Sequence, residues 1–521
     1  MFRNGVATPG FINNAIESRA FWLAAATLLI FAHFARFYDA NQALVTDTRY
    51  FTHFGIEVAA GAIPHLDFFD NKTQLASLAA GGLVHLGGVL GLGGLESIRI
   101  GYLGLAVLGG VLLFLLYRMI GDGRSIVGLL GLLPYLGFTY IGSLPATGSV
   151  PKLIMAVCAT GAALAVARGR WFAAGVIAAI APLDWQIGLF ACLGVFAAAA
   201  LDERPRRALL HSGLGVGLLA AVFVIYFALN GALEVMFAQT VAASFVRGAE
   251  AGGPFFKFAG IGSRLVMHCS GELWLVGLGI VGVFVYPLWF RIERWHSARK
   301  PLLMLAVYHY GVVGFSSIDF QGSGDTMLLL HSLAFFAGVT LVSLLVLLAR
   351  FEKLAPRAPW PEVAVVVLMF ALTHPVFSRY EPVSSPDSPA GVTLQDQLSF
   401  SRRLIPVLED RSLLMLGPTE LLLLGGFSHE SIFVFWNNAA AFEYARTRKL
   451  ESTNLLAALL AEYRPGAIIT NRFFGLPPDI PYRQIDLGQP GGYAVKVYLR
   501  TEESSGPDTS NRAAMTVGSR G

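Results

Sequence analysis

Charge is scarce in this sequence. Asp, Glu, Lys and Arg make up 14% of its 521 residues, whereas a soluble domain usually carries about 25%. Cysteine is scarcer still: Cys158 and Cys192 lie inside apolar runs, and Cys269 sits alone in a loop. That excludes a disulfide framework and a cysteine-based metal site, both of which need cysteines in spaced groups. There is no basic stripe interleaved with aromatics, so nucleic acid is not an expected partner. What is abundant is apolar: 55% of residues are hydrophobic and the mean hydropathy is +0.60. Several uncharged runs are about 20 residues long, enough to cross a bilayer core of roughly 30 Å. The sequence therefore predicts a polytopic α-helical membrane protein.

Spans are expected near 20–38, 97–118, 125–143, 149–167, 208–228, 272–291, 301–318, 326–349 and 360–377. The first follows Arg3 and Arg19 and has no small-residue cleavage site, so it reads as an uncleaved span. The run 171–201 is too long for one crossing. It is broken at Pro182-Leu183-Asp184-Trp185-Gln186, where proline and buried polar groups interrupt a helix, and it reads as a hairpin of two shorter helices. Basic residues gather in short loops: Arg118 with Arg124, Arg168 with Arg170, Arg204 with Arg206 and Arg207, Arg291 to Lys300, and Arg350 to Arg357. Such loops mark the cytoplasmic side. The N-terminus is then cytoplasmic, and 39–96, 144–148, 229–271, 319–325 and the chain after Phe377 lie outside, with Lys152 a mild exception. The apolar stretch 74–93 has both flanks outside, so it reads as a juxtamembrane or re-entrant helix. The count becomes about eleven crossings, with the N-terminus inside and the C-terminus outside.

After Arg379 the character changes. A Pro/Ser-rich linker, 381–390, precedes β-like runs at 413–416, 431–436, 467–470 and 494–499, alternating with helical patterns near 394–408, 439–444 and 453–463. Alternation of this kind predicts a small α/β domain. The expected organisation is a membrane domain over 1–378 with its first outer loop at 39–96, an extracytoplasmic α/β domain over 379–500, and a disordered Ser/Gly/Asn-rich tail over 501–521.

Polar chemistry is densest in the first outer loop, from Asp47-Thr48-Arg49-Tyr50 to Ile63-Pro64-His65-Leu66-Asp67-Phe68-Phe69-Asp70-Asn71-Lys72. Asp47 can cap a helix running to about Ala60. On it Arg49, His53 and Glu57 share one face, and Tyr50, Phe54 and Val58 another. Gly61 ends the helix and Pro64 turns the chain. Asp67 and Asp70 can also be plain turn residues, and Lys72 an interfacial anchor.

This stretch resembles the GT-C superfamily of membrane glycosyltransferases. More narrowly, residues 40–76 resemble bacterial enzymes related to protein O-mannosyltransferases and lipid A aminoarabinose transferase. Those show an acidic residue and tyrosine after the first helix, then Gly-x-x-Pro-Tyr-x-Asp-Phe-x-Asp-x-Lys-Pro-Pro-Leu. Here His65 stands in place of the tyrosine, and Thr73-Gln74 in place of the two prolines. Elsewhere the resemblance is architectural: span count, paired short helices at 171–201 and an outer C-terminal domain. It implies transfer of a sugar from a polyprenyl-phosphate donor to a glycan, lipid or protein hydroxyl outside the membrane, with inversion. Asp47 matches the first acidic position and would be the general base. Lys72, or Arg247, Lys257 or Arg264 in the second outer loop, would stabilise the departing phosphate. Asp67, Asp70, Arg49, Tyr50 and His65 would contact substrate, and a divalent cation at Asp67 and Asp70 is left open. Asp184, ionisable between two apolar half-helices, is a further candidate. Two other functions use lipid-linked sugars: a polysaccharide polymerase or ligase, which would centre its essential residues in 229–271, and a transporter, which would place them at mid-membrane.

Overall fold

The computed structural model describes residues 19–242, 254–291, 298–318, 320, 323–351, 383, 391–409, 411–429, 431–434, 438–448, 455–471 and 480–501. The expected span at 360–377, the linker apart from Val383, Arg247 and the tail beyond Thr501 lie outside these residues. So does the side chain of Lys257.

The helices follow the hydropathy runs closely. They are α1 (Arg19–Ala35), α2 (Thr46–Ala59), α3 (Leu75–Val89), α4 (Gly94–Ile120), α5 (Ser125–Gly137), α6 (Thr139–Thr147), α7 (Pro151–Ala167), α8 (Trp171–Asp184), α9 (Leu189–Ala200) and α10 (Pro205–Leu229). Then come α11 (Leu233–Phe237), a π-turn (Ala238–Ala242), α12 (Pro254–Cys269), α13 (Leu273–Trp289), α14 (Arg299–Ile318) and α15 (Ser323–Phe351). Helix α7 is buried on nearly every side. A helix apolar all round belongs in such an interior, and α4, α8, α9, α14 and α15 pack about this core. Outer helices turn apolar stripes outward instead. On α10 Leu210, Leu214, Leu218, Val222, Ile225 and Leu229 are all more than half exposed. An uninterrupted apolar face of that length requires lipid rather than water around it.

This is an integral membrane protein. Among the described residues four helices are long and apolar enough to cross a membrane, and α5 with α6, bent by 58°, makes a fifth if the pair is one span. Six further apolar helices are 10–17 residues long.

The expected break in 171–201 lies at Trp185: α8 runs through Pro182 and ends at Asp184, and a 3₁₀ turn, Gln186–Gly188, leads into α9. Gly188 lies so close to the Ala181–Pro182 peptide that a Cβ there would collide with it. The stretch 75–89 is one helix wedged between α2 and α4.

The C-terminal part has α16 (Leu394–Leu408), β1 (Leu413–Leu416), α17 (Glu420–Gly425), α18 (Asn438–Arg448), α19 (Leu455–Tyr463), β2 (Ala467–Asn471), β3 (Tyr482–Ile485) and β4 (Val495–Arg500). Thr393 and Asp396 form a capping box at the start of α16. The sheet order is β1-β2-β4-β3, with β1 and β2 parallel and the other pairs antiparallel. One expected strand is corrected: within 431–436, the described residues Ser431–Val434 are irregular. Local bonds claim their backbone: the Phe433 N–H donates to Ser431 Oγ at 3.1 Å, and the Ile432 carbonyl accepts from the Phe69 N–H at 2.9 Å. A sheet ladder has to compete with such bonds. The C-terminal part docks on the loop between α1 and α2. The Gln397 side chain accepts from the Leu44 N–H at 3.0 Å and donates to the Leu44 carbonyl at 2.8 Å, while the Leu394 N–H donates to Asn41 at 2.7 Å.

Candidate active site

Four helix ends and one loop converge at the end of the bundle where α2 begins. Asp47 lies in the first turn of α2 rather than at its cap. The cap is Val45, whose side chain cannot accept a hydrogen bond. Position 47 is still favourable, because a carboxylate in the first turn meets the positive end of the helix dipole. With the capping role gone, its oxygens are turned to other partners. Asp47 Oδ2 is 3.7 Å from Lys152 Nζ, and its side chain is 49% exposed against 4% for Lys152. Lys152 sits in the first turn of α7 and is paired more closely with Asp325, at 2.9 Å, in the first turn of α15. Gly324 lies against both groups: a Cβ there would collide with the Asp47 carboxylate and stand 2.6 Å from Lys152 Nζ. One buried ammonium thus holds two carboxylates, one satisfied and one largely open to solvent.

Trp185, at the break after α8, extends the cluster. Lys152 Nζ is 4.1 Å from its ring centroid and Lys72 Nζ 5.0 Å. Two ammonium groups on one indole bring two positive charges together, with the ring quadrupole compensating. Lys72 also lies 5.1 Å from the Phe51 ring and 3.6 Å from Asp70 Oδ1. Asp184 is fully buried beside them. Neither of its oxygens has a hydrogen-bond partner among the described residues, and Lys152 and Lys72 are the cations acting on it.

The loop carrying Lys72 is fixed from both sides. The Gln186 amide donates to the Asn71 carbonyl at 2.7 Å and to the Thr240 carbonyl at 3.1 Å, and Thr73 Oγ1 donates to the Pro182 carbonyl at 2.8 Å. Gln74, in place of a family proline, has φ 69°. Proline, locked near −65°, cannot take that conformation. The Gln74 amide donates to Asp70 Oδ2 at 2.5 Å and its carbonyl accepts from Ser77 at 2.6 Å. The departure from the family pattern therefore carries a hydrogen-bond chain that aims Asp70.

The other sequence candidates lie elsewhere. Asp67 is exposed and accepts from the Ile63 N–H at 2.6 Å, closing its own turn. His65 is buried at φ 71° with Nδ1 2.8 Å from Gln239 Oε1, and burial lowers its pKa. Arg49 pairs with Glu420 of α17 at 3.3 Å and donates to the Tyr50 hydroxyl at 3.2 Å, and Tyr493 donates to the same Glu420 at 2.7 Å. Both Arg49 and Tyr50 thus face the C-terminal part. Arg264, on α12, has Nη1 3.6 Å from Met267 Sδ. Among the described residues, no group of three or more His, Cys, Asp or Glu is placed to hold a metal ion.

Three members of the site were missed as such in the sequence: Lys152, Asp325 and Trp185. Lys152 had a signal, since a lysine opening an apolar helix on the side away from the basic loops needs an acidic partner. Arg99, inside a span, was also passed over. It is 1% exposed and donates to the carbonyls of Ala40 at 3.0 Å, of Thr147 at 3.3 Å and of Gln42. It thereby fixes the loop that leads into Asp47.

No protein-family model matches the sequence, and no curated protein does. The structure does have counterparts: its fold is similar to that of solved GT-C membrane glycosyltransferases. One is ArnT from Cupriavidus metallidurans bound to undecaprenyl phosphate, at 15% identity and TM-score 0.57, covering 96% of this chain and 100% of that one. The apo form of the same protein gives 14% identity, TM-score 0.55 and coverage of 94% and 98%. The oligosaccharyltransferase AglB from Archaeoglobus fulgidus, in complex with an inhibitory peptide and a dolichol-phosphate, gives 11% identity, TM-score 0.53 and coverage of 87% and 69%.

Proposed function

We propose that this chain is a membrane glycosyltransferase that moves a sugar from a polyprenyl-phosphate donor to an acceptor hydroxyl on the extracytoplasmic side, with inversion. The observation that carries the reading is the half-exposed Asp47 carboxylate beside the Lys152–Trp185–Lys72 cluster. The likeness in fold to proteins whose structures were solved with undecaprenyl phosphate and dolichol-phosphate supports the choice of carrier.

In this reading the acceptor oxygen attacks the anomeric carbon while Asp47 takes its proton. The bond from that carbon to the phosphate oxygen breaks, and polyprenyl phosphate leaves with the electron pair. Lys72 and Lys152 meet the developing negative charge, which fixed cations in a water-poor site stabilise strongly. Trp185 holds both ammonium groups in place, and Asp70 orients Lys72. Attack from the face opposite the leaving phosphate inverts the centre. The eleven crossings, the cytoplasmic N-terminus and the boundaries near 378 and 500 belong to this proposal too.

The test is reconstitution of the full chain in liposomes with polyprenyl-phosphate-linked sugars, following release of polyprenyl phosphate and sugar-labelled acceptor together. Wild type should release both in equal amounts, and Asp47→Ala neither, while still inserting and folding. Transfer by the Asp47→Ala protein at the wild-type rate removes the proposal. Essential residues mapping to 229–271 would favour a polymerase or ligase. Movement of labelled lipid without sugar transfer would favour a transporter.

A further inference from the structure

A polar cavity lies at the end of α8 away from Asp184. A cavity of about 310 Å³ is lined by Trp171, Asp202, Arg204, Arg207 and His211, where α8 begins and α10 begins. It is distinct from the Asp47 site. Trp171 and Asp184 are the two ends of α8, and thirteen helical rises of 1.5 Å separate them by about 20 Å.

The charge in this cavity is unbalanced. Its one acid, Asp202, is taken by Lys300 at 2.6 Å and by the Arg204 backbone N–H at 3.0 Å. Neither the Arg204 nor the Arg207 guanidinium has an ion-pair or hydrogen-bond partner among the described residues. His211 Nδ1 donates to the Arg207 carbonyl at 2.8 Å, which fixes its ring in the cavity wall. Pro205 opens α10, a 25-residue helix, so its positive end adds to the same field. Two unpaired guanidiniums in a cleft are matched by a phosphate, which accepts from both.

What surrounds the cavity decides the source of that phosphate. Beside it on α8 Phe172 is 44% exposed, and on α10 Leu210 and Leu214 are 61% and 56% exposed. These side chains belong to the lipid-facing surface. A phosphate bound at the Arg pair would have apolar chains running along them, as basic pockets at the ends of membrane helices bind anionic headgroups. We propose that this cavity binds the phosphate of an anionic membrane lipid, with Arg204 and Arg207 on the phosphate and Phe172, Leu210 and Leu214 against its chains.

The experiment uses the purified full chain in neutral detergent and measures its Tm with added phosphatidylglycerol, phosphatidylcholine or inorganic phosphate. Phosphatidylglycerol should raise Tm by about 3 °C or more, as a ligand specific to the folded state does. Phosphatidylcholine and inorganic phosphate should give less than half of that rise. Arg207→Gln and the double variant R204Q/R207Q should lose most of the rise. R118Q/R124Q, in another basic loop, should keep it. Arg204 and Arg207 are exposed, so the single Arg207→Gln protein should fold even if the double variant does not. An equal rise with phosphatidylcholine, a rise with inorganic phosphate alone, or a full rise in the Arg207→Gln protein would each overturn the proposal.

Discussion

Helix α2 carries two charged clusters on different faces, and they are built differently. On one, Asp47 approaches a lysine at 3.7 Å with half of its side chain still in solvent. On the other, Arg49 meets Glu420 at 3.3 Å with side chains 6% and 0% exposed, and Tyr493 completes the contact. Both are ion pairs two residues apart in sequence. Only the first leaves a carboxylate able to accept a proton from a molecule arriving from outside. The second is sealed, and its partners come from the C-terminal part, so it ties that part to the membrane helices. A buried pair of this kind resists the loss of either member more than it adds net stability.

The comparison can be broken most severely at Lys152. Lys152→Met removes the cation shared by Asp47 and Asp325, so sugar transfer should fall by about 10²-fold or more. Unfolding should also become easier, because Asp325 is left without its closest cation; transfer kinetics and a Tm on the same sample check both. Next, Glu420→Ala removes the carboxylate that pairs with Arg49 in a buried site. The expected cost is about 3–5 kcal/mol of stability, read by denaturant unfolding, with the folded fraction still transferring sugar. Gly324→Ala is smaller and more selective. Its methyl group displaces the Asp47 carboxylate, so kcat should fall by about 10-fold or more while Tm moves little.

A separate effect comes with acid and bears on stability alone. Burial pushes His53 on α2 and His429 in the C-terminal part each from 6.5 down to about 4, and the nearby His429 adds to the shift of His53. Both stay neutral in the folded protein at pH values where the unfolded chain takes up protons. Their contribution is present in full above pH 6.5 and is lost as pH falls toward 4, at up to about 1.4 kcal/mol per pH unit for each. His53→Leu should flatten that acid limb of the stability curve; an unchanged slope would remove His53 from it.

Hydropathy and proline read most of the membrane helices correctly, including the break that follows Pro182 at Trp185, because both signals are local in the chain. The first outer loop was legible as a motif, yet the roles within it were not. Nothing in the sequence near Arg49 announces Glu420, which lies 371 residues away. Lys152 and Asp325 were unread as site members for the same reason: their meaning comes from a meeting of α7 and α15. Strand β3 escaped notice because Arg483 and Gln484 at its centre are exposed and polar. Helix α17, Glu420–Gly425, is six residues long, too short for a helical period to show.

The most direct measurement sets the two faces of α2 against each other. Asp47→Asn and Glu420→Gln are prepared alike, and each is assayed for single-turnover sugar transfer from a polyprenyl-phosphate donor and for Tm. The account predicts that Asp47→Asn loses about 10²–10⁴ in rate, the span of a missing general base, at an unchanged Tm. Glu420→Gln should lose Tm while keeping its rate. A wild-type rate in the Asp47→Asn protein would contradict it.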